Sequence, residues 1–595
     1  MLKIALAQMK VIPGHPDKNT GNILQMVAKS KEQQANLVIF PEMAIPGYFL
    51  GDTWEQPAFL QDCEEYGRDV IRASEGIAIM FGNIAVDWEK KNNDGRVRKY
   101  NAFFTAHNGK LVHPDNMPYP YVIKTLMPNY REFDDTRHFF SLQKLARELG
   151  TTPDQLISPV TLKFDNKKHR IGCLLCEDGW SDDYELTPLD MLNRHRSIDF
   201  FVNISSSPYT LGKTEKRHRI FGQQAKNTKA PLFYVNNIGL QNNGKTIYTF
   251  DGASTVYNTK GDIVSCCKEY AEELSIIDLE EIDCLPAIQQ KKESDIAHIY
   301  QALSYGIKNF LESIQMKKVV IGISGGIDSA VAAALYNHIV GPENLLLVNM
   351  PTVFNSETTK SLSEKLAHNL GCKYTVIPIQ KIVEQTVEQL ECADIEFLSE
   401  HAVSHLNVSS FVTENIQARD RSARVLAGAA ASFGGGFTCN ANKAETTIKE
   451  NPDYSVTISI VIPTENIAQN VLDESKTEYA VLRGVFSNMV DIAYLHDNQA
   501  DPINALSDRV NAIRYMGIDA YLQNEFKTLL TDETNGIYKY FAVEDDEHNP
   551  VDVKDIVNAS VASVLDDAKV GRTAKLYIKD YVLNDDGDRA KDLES

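Results

Sequence analysis

Apolar positions along the first half of the chain come in short β-branched runs: Lys3 to Met9, Leu37 to Phe40, Ile77 to Val86, Arg170 to Leu175, Phe200 to Ile204 and Leu232 to Asn236. Stretches of helical spacing separate them, so residues 1–275 read as layered α/β structure. From Glu272 to Asp295 the alternation fades and charges take over, which predicts a linker, placed at 276–300. Ile299, Leu303, Ile307, Phe310, Leu311 and Ile314 then recur at helical spacing, giving an amphipathic helix over Ile296 to Gln315. It leads into VVIGISGGIDSAVAAA, which reads as a buried strand from Val319 to Ile323, a glycine turn, and a helix opened by Asp328 and Ser329. Asn344 to Met350 and Tyr374 to Pro378 are further strands, joined through a helix over Lys360 to Leu370. Strand alternating with helix predicts a doubly wound parallel sheet for the domain at 301–595. The acidic stretch from about Asp545 reads as a frayed tail.

The glycine turn carries the first chemical signal. Two adjacent glycines let backbone N–H groups approach an anion without a Cβ clash, and the helix N-terminus adds partial positive charge. No Gly-Lys-Ser/Thr follows Gly325-Gly326, so the turn is not a Walker A loop and lacks its phosphate-binding lysine.

At 595 residues the chain exceeds one core, and ordinary domain size predicts roughly two to four units. A formal net charge of −21, with no clustered Lys and Arg, argues against a nucleic-acid binder and for small-molecule chemistry. Nine scattered cysteines are unlike a disulfide framework and predict a reducing, cytoplasmic setting. The opening MLKIALAQMK begins at once with strand alternation instead of a signal peptide, and no run of 18 apolar residues offers a membrane span. Cys173 and Cys176 form a C-x-x-C, but no second pair or His cluster at zinc spacing accompanies them.

Three polar residues stand at or just beyond the C-terminal ends of strands in the first half: Glu42 in NLVIFPEMAIPGY, Lys124 in YVIKTLMPNY and Cys176 in RIGCLLCEDGW. A nucleophilic thiol needs a cation and a base beside it, roles that a lysine and a glutamate fill. Taken singly, each also reads blandly, as a strand-end cap, a snorkelling lysine and a small core residue.

Together PEMAIPGY, IKTLMPNY and CEDGW resemble the nitrilase superfamily of carbon-nitrogen hydrolases over residues 1–275. That resemblance implies an αββα sandwich in which Glu42 takes the thiol proton, Cys176 attacks an amide carbon, and Lys124 with the N–H of Glu177 holds the oxyanion. KTLMPNYREFDDTRHF and NISSSPYTLGKTEKR are similar to the glutaminase domain of glutamine-dependent NAD synthetases, which implies that Tyr130, Glu177, Ser207, Lys213 and Arg217 bind glutamine. SGGIDS resembles the PP-loop of ATP pyrophosphatases, a fold of the adenine nucleotide alpha hydrolase type. It implies that Gly322, Ile323, Ser324, Gly325, Gly326, Ile327, Asp328, Ser329 and Asn440 bind ATP.

ENIQARDRSAR, as plain physics a charged helix with a solvated face, resembles a segment of NAD synthetases that contacts deamido-NAD. Glu414, Asn415, Arg419 and Glu445 are implied for that substrate, with Asp328 and Glu445 as Mg²⁺ ligands. Lys443 falls at the family's Asn-Lys-Ser-Glu turn, and Lys476 is a fainter counterpart of a family lysine. After Glu445 the chain reads TTIKENPDYSVTISIVIPTEN in place of the family's substrate-gripping stretch, and the basic ending of the family is missing.

The resemblance implies a homo-oligomeric ligase that consumes glutamine, ATP and deamido-NAD and passes ammonia internally. Two other readings stay open: a PP-loop ligase amidating a different carboxylate, and a glutamine amidase with a degenerate synthetase domain.

Overall fold

The computed structural model describes residues 2–440 apart from 131–132, 195–196, 243–245, 290–293, 354–356 and 398–401. Beyond 440 it describes the strands Val456–Pro463, Tyr479–Phe486, Val543–Glu544, Pro550–Val551 and Lys575–Tyr577. The chain divides into two compact units, Met1–Thr438 and Cys439–Ser595.

Two large sheets pack face to face in the first half, beside a two-stranded sheet of 238–242 and 247–251. One is seven-stranded, with main order 273–278, 3–8, 37–39, 78–91, 97–107, 110–111, and 122–123 paired to 97–107. The other is six-stranded, in the order 263–266, 255–257, 232–236, 200–205, 167–175, 160–164. Strand periodicity explains the layering, because successive side chains point to opposite faces. Ile4, Leu6, Leu37 and Ile39 meet Leu175, Val202, Ile204 and Val235 between the sheets. Ala5, Ala7 and Val38 belong instead to an outer layer with Ile23, Met26 and Val27 of the helix Pro16–Glu32. Central strands are buried on both faces and therefore read as continuous apolar runs. The αββα sandwich is the predicted one.

The boundary to the second half differs from the expectation. Glu273–Asp278, expected to open the linker, is a strand paired antiparallel with Lys3–Gln8. Of its six residues only Ile277 is buried, so an edge strand carries enough charge to look like a linker. The helix Asp295–Ser313 follows, with the Ser294 hydroxyl accepting from the Ala297 N–H.

Beyond it lies a four-stranded parallel sheet in the order 373–376, 345–349, 319–322, 436–437. Val319, Ile321 and Ile323 face Leu311, Ala333 and Ala367 of the helices on one side. Val320 faces Val383, Val425 and Ala430 on the other. Helices on both faces make the sheet doubly wound, as its strand-helix alternation predicts.

Candidate active site

Glu42 emerges where the strand Leu37–Ile39 runs into Phe40-Pro41, with no exposed surface. Its turn passes so close to the neighbouring strand that a Cβ on Gly82 would lie 2.6 Å from Glu42 Cα. Both carboxylate oxygens are engaged: Oε1 accepts from Asn101 Nδ2 at 2.7 Å and Lys124 Nζ at 3.0 Å, and Oε2 from the Ser206 N–H at 2.9 Å. Burial raises the Glu42 carboxyl above its ordinary range, and Lys124 only partly offsets this.

Lys124, also fully buried, donates to Glu42, to Tyr48 Oη at 2.7 Å and to Asp135 Oδ2 at 3.0 Å. The Tyr48 hydroxyl in turn donates to the Asp135 carboxylate, lying 2.7 Å from each of its oxygens. Burial alone would lower the Lys124 pKa, but Asp135 and Glu42 outweigh it and hold the ammonium well above its usual range. It stays charged.

Cys176 ends the strand Lys167–Leu175 and opens a tight turn over Cys176–Gly179. Its φ of +44° is in the left-handed region, which a non-glycine residue rarely adopts and which here marks where the chain turns out of the sheet. Burial pushes the thiol pKa up and the Glu42 charge adds to this, while Lys124 and Lys213 pull it down. Burial thus favours the protonated thiol, and a nucleophilic role for it would call for a proton acceptor close by. Asp178 ties this turn to Lys124, accepting from the backbone N–H groups of Thr125, Leu126 and Leu175 at 3.1, 2.8 and 3.3 Å. Burial lifts its carboxyl to about 7.

Cys176 opens into a cavity of about 660 Å³ that Tyr130, Glu177, Ser207 and Lys213 also line. The Glu177 carboxylate accepts from Tyr130 Oη at 3.1 Å and Tyr184 Oη at 2.7 Å. Arg217 is the departure from expectation. It has no exposed surface, is absent from the cavity wall, and instead donates to both oxygens of buried Asp251 at 3.2 and 3.3 Å. Asp251 Oδ1 in turn lies 3.3 Å from Asn236 Nδ2, and Asn236 Oδ1 accepts the Ser207 N–H at 2.9 Å. Arg217 thus braces the cavity wall from behind.

In the second half, Ile323 and Ser329 are buried while Ser324, Gly326, Ile327 and Asp328 face solvent, and Gly322 and Gly325 are half-buried. Gly325 takes φ +86°, Ser324 Oγ accepts the Gly326 N–H at 3.2 Å, and the helix Ile327–Val340 starts directly after. The turn is open and backbone-rich, as an anion seat requires. On the helix Ser410–Arg419, Glu414 and Arg419 are exposed, and Arg419 Nη1 donates to Asn415 Oδ1 at 3.0 Å. That helix continues through a wider turn over Asp420–Leu426, a distortion frequent at functional sites. Asn440 belongs to the second unit, and Lys443, Glu445 and Lys476 lie outside the described residues. Among the described residues no three His, Cys, Asp or Glu side chains gather as a metal site.

Comparison with known proteins supplies the frame for these two sites. The carbon-nitrogen hydrolase family model matches residues 3–285 and the NAD synthase model residues 299–448. A glutamine-dependent NAD(+) synthetase from Synechocystis is 28% identical over 64% of this chain and 65% of its own length. One from Acinetobacter baylyi is 27% identical over 75% of this chain and 73% of its own. The chain thus joins a carbon-nitrogen hydrolase region to an NAD synthase region, and it is similar along both to glutamine-dependent NAD(+) synthetases. Among solved structures, the glutamine-dependent NAD(+) synthetase of Acinetobacter baumannii in complex with ADP superposes with a TM-score of 0.60, at 26% identity, over 75% of this chain and 76% of that one.

Beside these relatives, the sequence signals locate Glu42, Lys124 and Cys176 but miss the groups that hold them. Tyr48, Asn101, Asp135 and Asp178 complete the buried network, and only Asp178 is within two residues of a recognised position. Asp135 carried one usable signal, an Asp-Asp pair in REFDDTRHF, but choosing between Asp134 and Asp135 requires the helical turn Asp135–His138 that buries the second.

Proposed function

We propose that the chain makes NAD from deamido-NAD, ATP and glutamine, with glutamine hydrolysed in the cavity at Cys176. Glu42 accepts the Cys176 thiol proton, and its raised pKa makes it a better base than an ordinary carboxylate. The Sγ attacks the side-chain amide carbon of glutamine, and Lys124 and the Glu177 N–H stabilise the oxyanion. The C–N bond breaks as the nitrogen takes the proton from Glu42, ammonia leaves, and water later cleaves the thioester to glutamate.

At the Ser324–Ser329 turn the nicotinate carboxylate of deamido-NAD attacks the α-phosphorus of ATP, and pyrophosphate leaves onto the backbone N–H groups. Ammonia then attacks the mixed anhydride and AMP departs. Asp328, an exposed carboxylate at the start of its helix, suits Mg²⁺, which typically takes one or two carboxylates plus phosphate oxygens. Bound there, the cation would offset the phosphate charge. Glu414, Asn415 and Arg419 would meet deamido-NAD, and a cytoplasmic homo-oligomer goes with the reading.

The observation that carries the proposal is the buried Glu42–Lys124 pair, whose charges both act on a left-handed Cys176 at the wall of the cavity. Incubating the enzyme with deamido-NAD, ATP, Mg²⁺ and either glutamine or an ammonium salt tests it. Cys176→Ala should lose NAD formation from glutamine and keep it from ammonium. Equal loss from both nitrogen sources would overturn the division of labour.

A further inference from the structure

The turn Lys268–Glu272 is held more tightly than a connecting turn needs to be. Gln8 Nε2 donates to the Lys268 and Ala271 carbonyls at 2.7 and 2.8 Å, and the Tyr270 N–H donates to the Asp251 carbonyl at 3.0 Å. Tyr270 sits at φ +59°, a conformation that a bulky aromatic residue keeps only when its surroundings impose it. Its ring packs 5.0 Å from that of Tyr305 on the helix Asp295–Ser313, and its hydroxyl oxygen is buried with no hydrogen-bond partner among the described residues. The ring contact, not the hydroxyl, secures it.

On one side the turn reaches the glutamine cavity. Glu269 Oε1 accepts from Thr214 Oγ1 at 3.3 Å, and the same hydroxyl lies 3.5 Å from Asp251 Oδ2. Thr214 is the second residue of the helix Lys213–Thr228, whose first residue lines the cavity. On the other side Tyr305 belongs to the helix that runs on in sequence to Val319 and the phosphate turn.

We infer that Tyr270 is a positioning residue for glutamine: clamped by Tyr305, it fixes Glu269 and Asp251, and through them the placement of Thr214 and Lys213. This rests on the reading that glutamine occupies the Cys176 cavity. The helix leading to the phosphate turn then sets the affinity of a site it does not line.

Steady-state glutamate release against glutamine concentration, and NAD formation from ammonium, test it in the full chain. Tyr270→Gly removes the ring while relaxing the backbone, Tyr305→Leu removes the aromatic partner while keeping bulk, and a wild-type rate of NAD formation from ammonium checks that each variant is folded. Each should raise the KM for glutamine about three- to tenfold, the scale of one aromatic pair. Tyr270→Phe and Tyr305→Phe should restore it, ammonium-dependent synthesis should stay at wild-type rate, and the double variant should be no worse than the weaker-binding single one. An unchanged KM in Tyr305→Leu, or additive effects in the double variant, would overturn the inference. If the wild-type protein released no glutamate, the proposed function itself would fall; a normal wild-type rate with unshifted variants removes only the role of Tyr270.

Discussion

The two sites manage charge in opposite ways. Around Cys176 the ionisable groups are withdrawn from water and already paired: Glu42, Lys124, Asp135 and Asp178 are at most 2% exposed, and each has at least two polar partners. The turn at Ser324–Ser329 instead leaves Asp328 and the Gly326 backbone open to solvent. A neutral amide brings no charge to organise a catalyst, so its site has to be rigid beforehand. A nucleoside triphosphate, by contrast, would bring several charges and its own counterion, so a site for it can be a solvent-facing turn at a helix N-terminus.

The largest break in that comparison comes from the buried pair. Lys124→Met should depress glutamine hydrolysis by about 10²–10³-fold or more, the scale of an oxyanion donor, while NAD formation from ammonium survives. A parallel assay with both nitrogen sources reads this directly. Next is Arg217→Met, which strands the Asp251 carboxylate in the core; urea titration should show a loss of about 3–5 kcal/mol, the usual cost of a buried unpaired charge. Had Arg217 served only as a contact to glutamine, its loss would shift KM and leave the urea midpoint in place.

A smaller and opposite test strikes the open site. Gly325→Ala puts a Cβ at φ +86°, costing of order 1–2 kcal/mol, and should reduce NAD formation from either nitrogen source by about tenfold while glutamine hydrolysis continues. The smallest effect is in pH. Glu42 works as a base only when ionised, and its pKa lies above the ordinary 4.5, so glutamate release should fall as pH drops through a midpoint above that value. Asp135 contributes to the elevation, hence Asp135→Asn should carry the acid limb to lower pH. A profile for kcat/KM in the two proteins measures the shift.

Much of the architecture was legible because central strands bury both faces, so that Phe200 to Ile204, interrupted only by Asn203, and Val319 to Ile323 stand out as apolar runs. Glu273–Asp278 was not, since an edge strand with one buried residue has the composition of a linker. The trio Glu42, Lys124 and Cys176 was legible only jointly: each alone reads as a cap, a snorkelling lysine or a core thiol, and it is PEMAIPGY, IKTLMPNY and CEDGW in order that carry the resemblance. Its supports were hidden by distance along the chain. Tyr48 and Lys124 are 76 residues apart, and Ser206 and Glu42 164, so nothing local announces either contact. The position of Arg217 was hidden in the same way: NISSSPYTLGKTEKR says nothing of its partner Asp251, which lies 34 residues away.

Every hydrogen of the Lys124 ammonium is already spoken for, by Glu42, Tyr48 and Asp135. A tetrahedral intermediate can therefore recruit this cation only if one of the three bonds gives way. The natural one to yield is the bond to Glu42, because a carboxyl that has just taken up the thiol's hydrogen no longer attracts it as an anion did. Nucleophile activation and release of the electrophilic hydrogen would then be a single event, and the thiol would not be armed ahead of the group that must catch the developing charge.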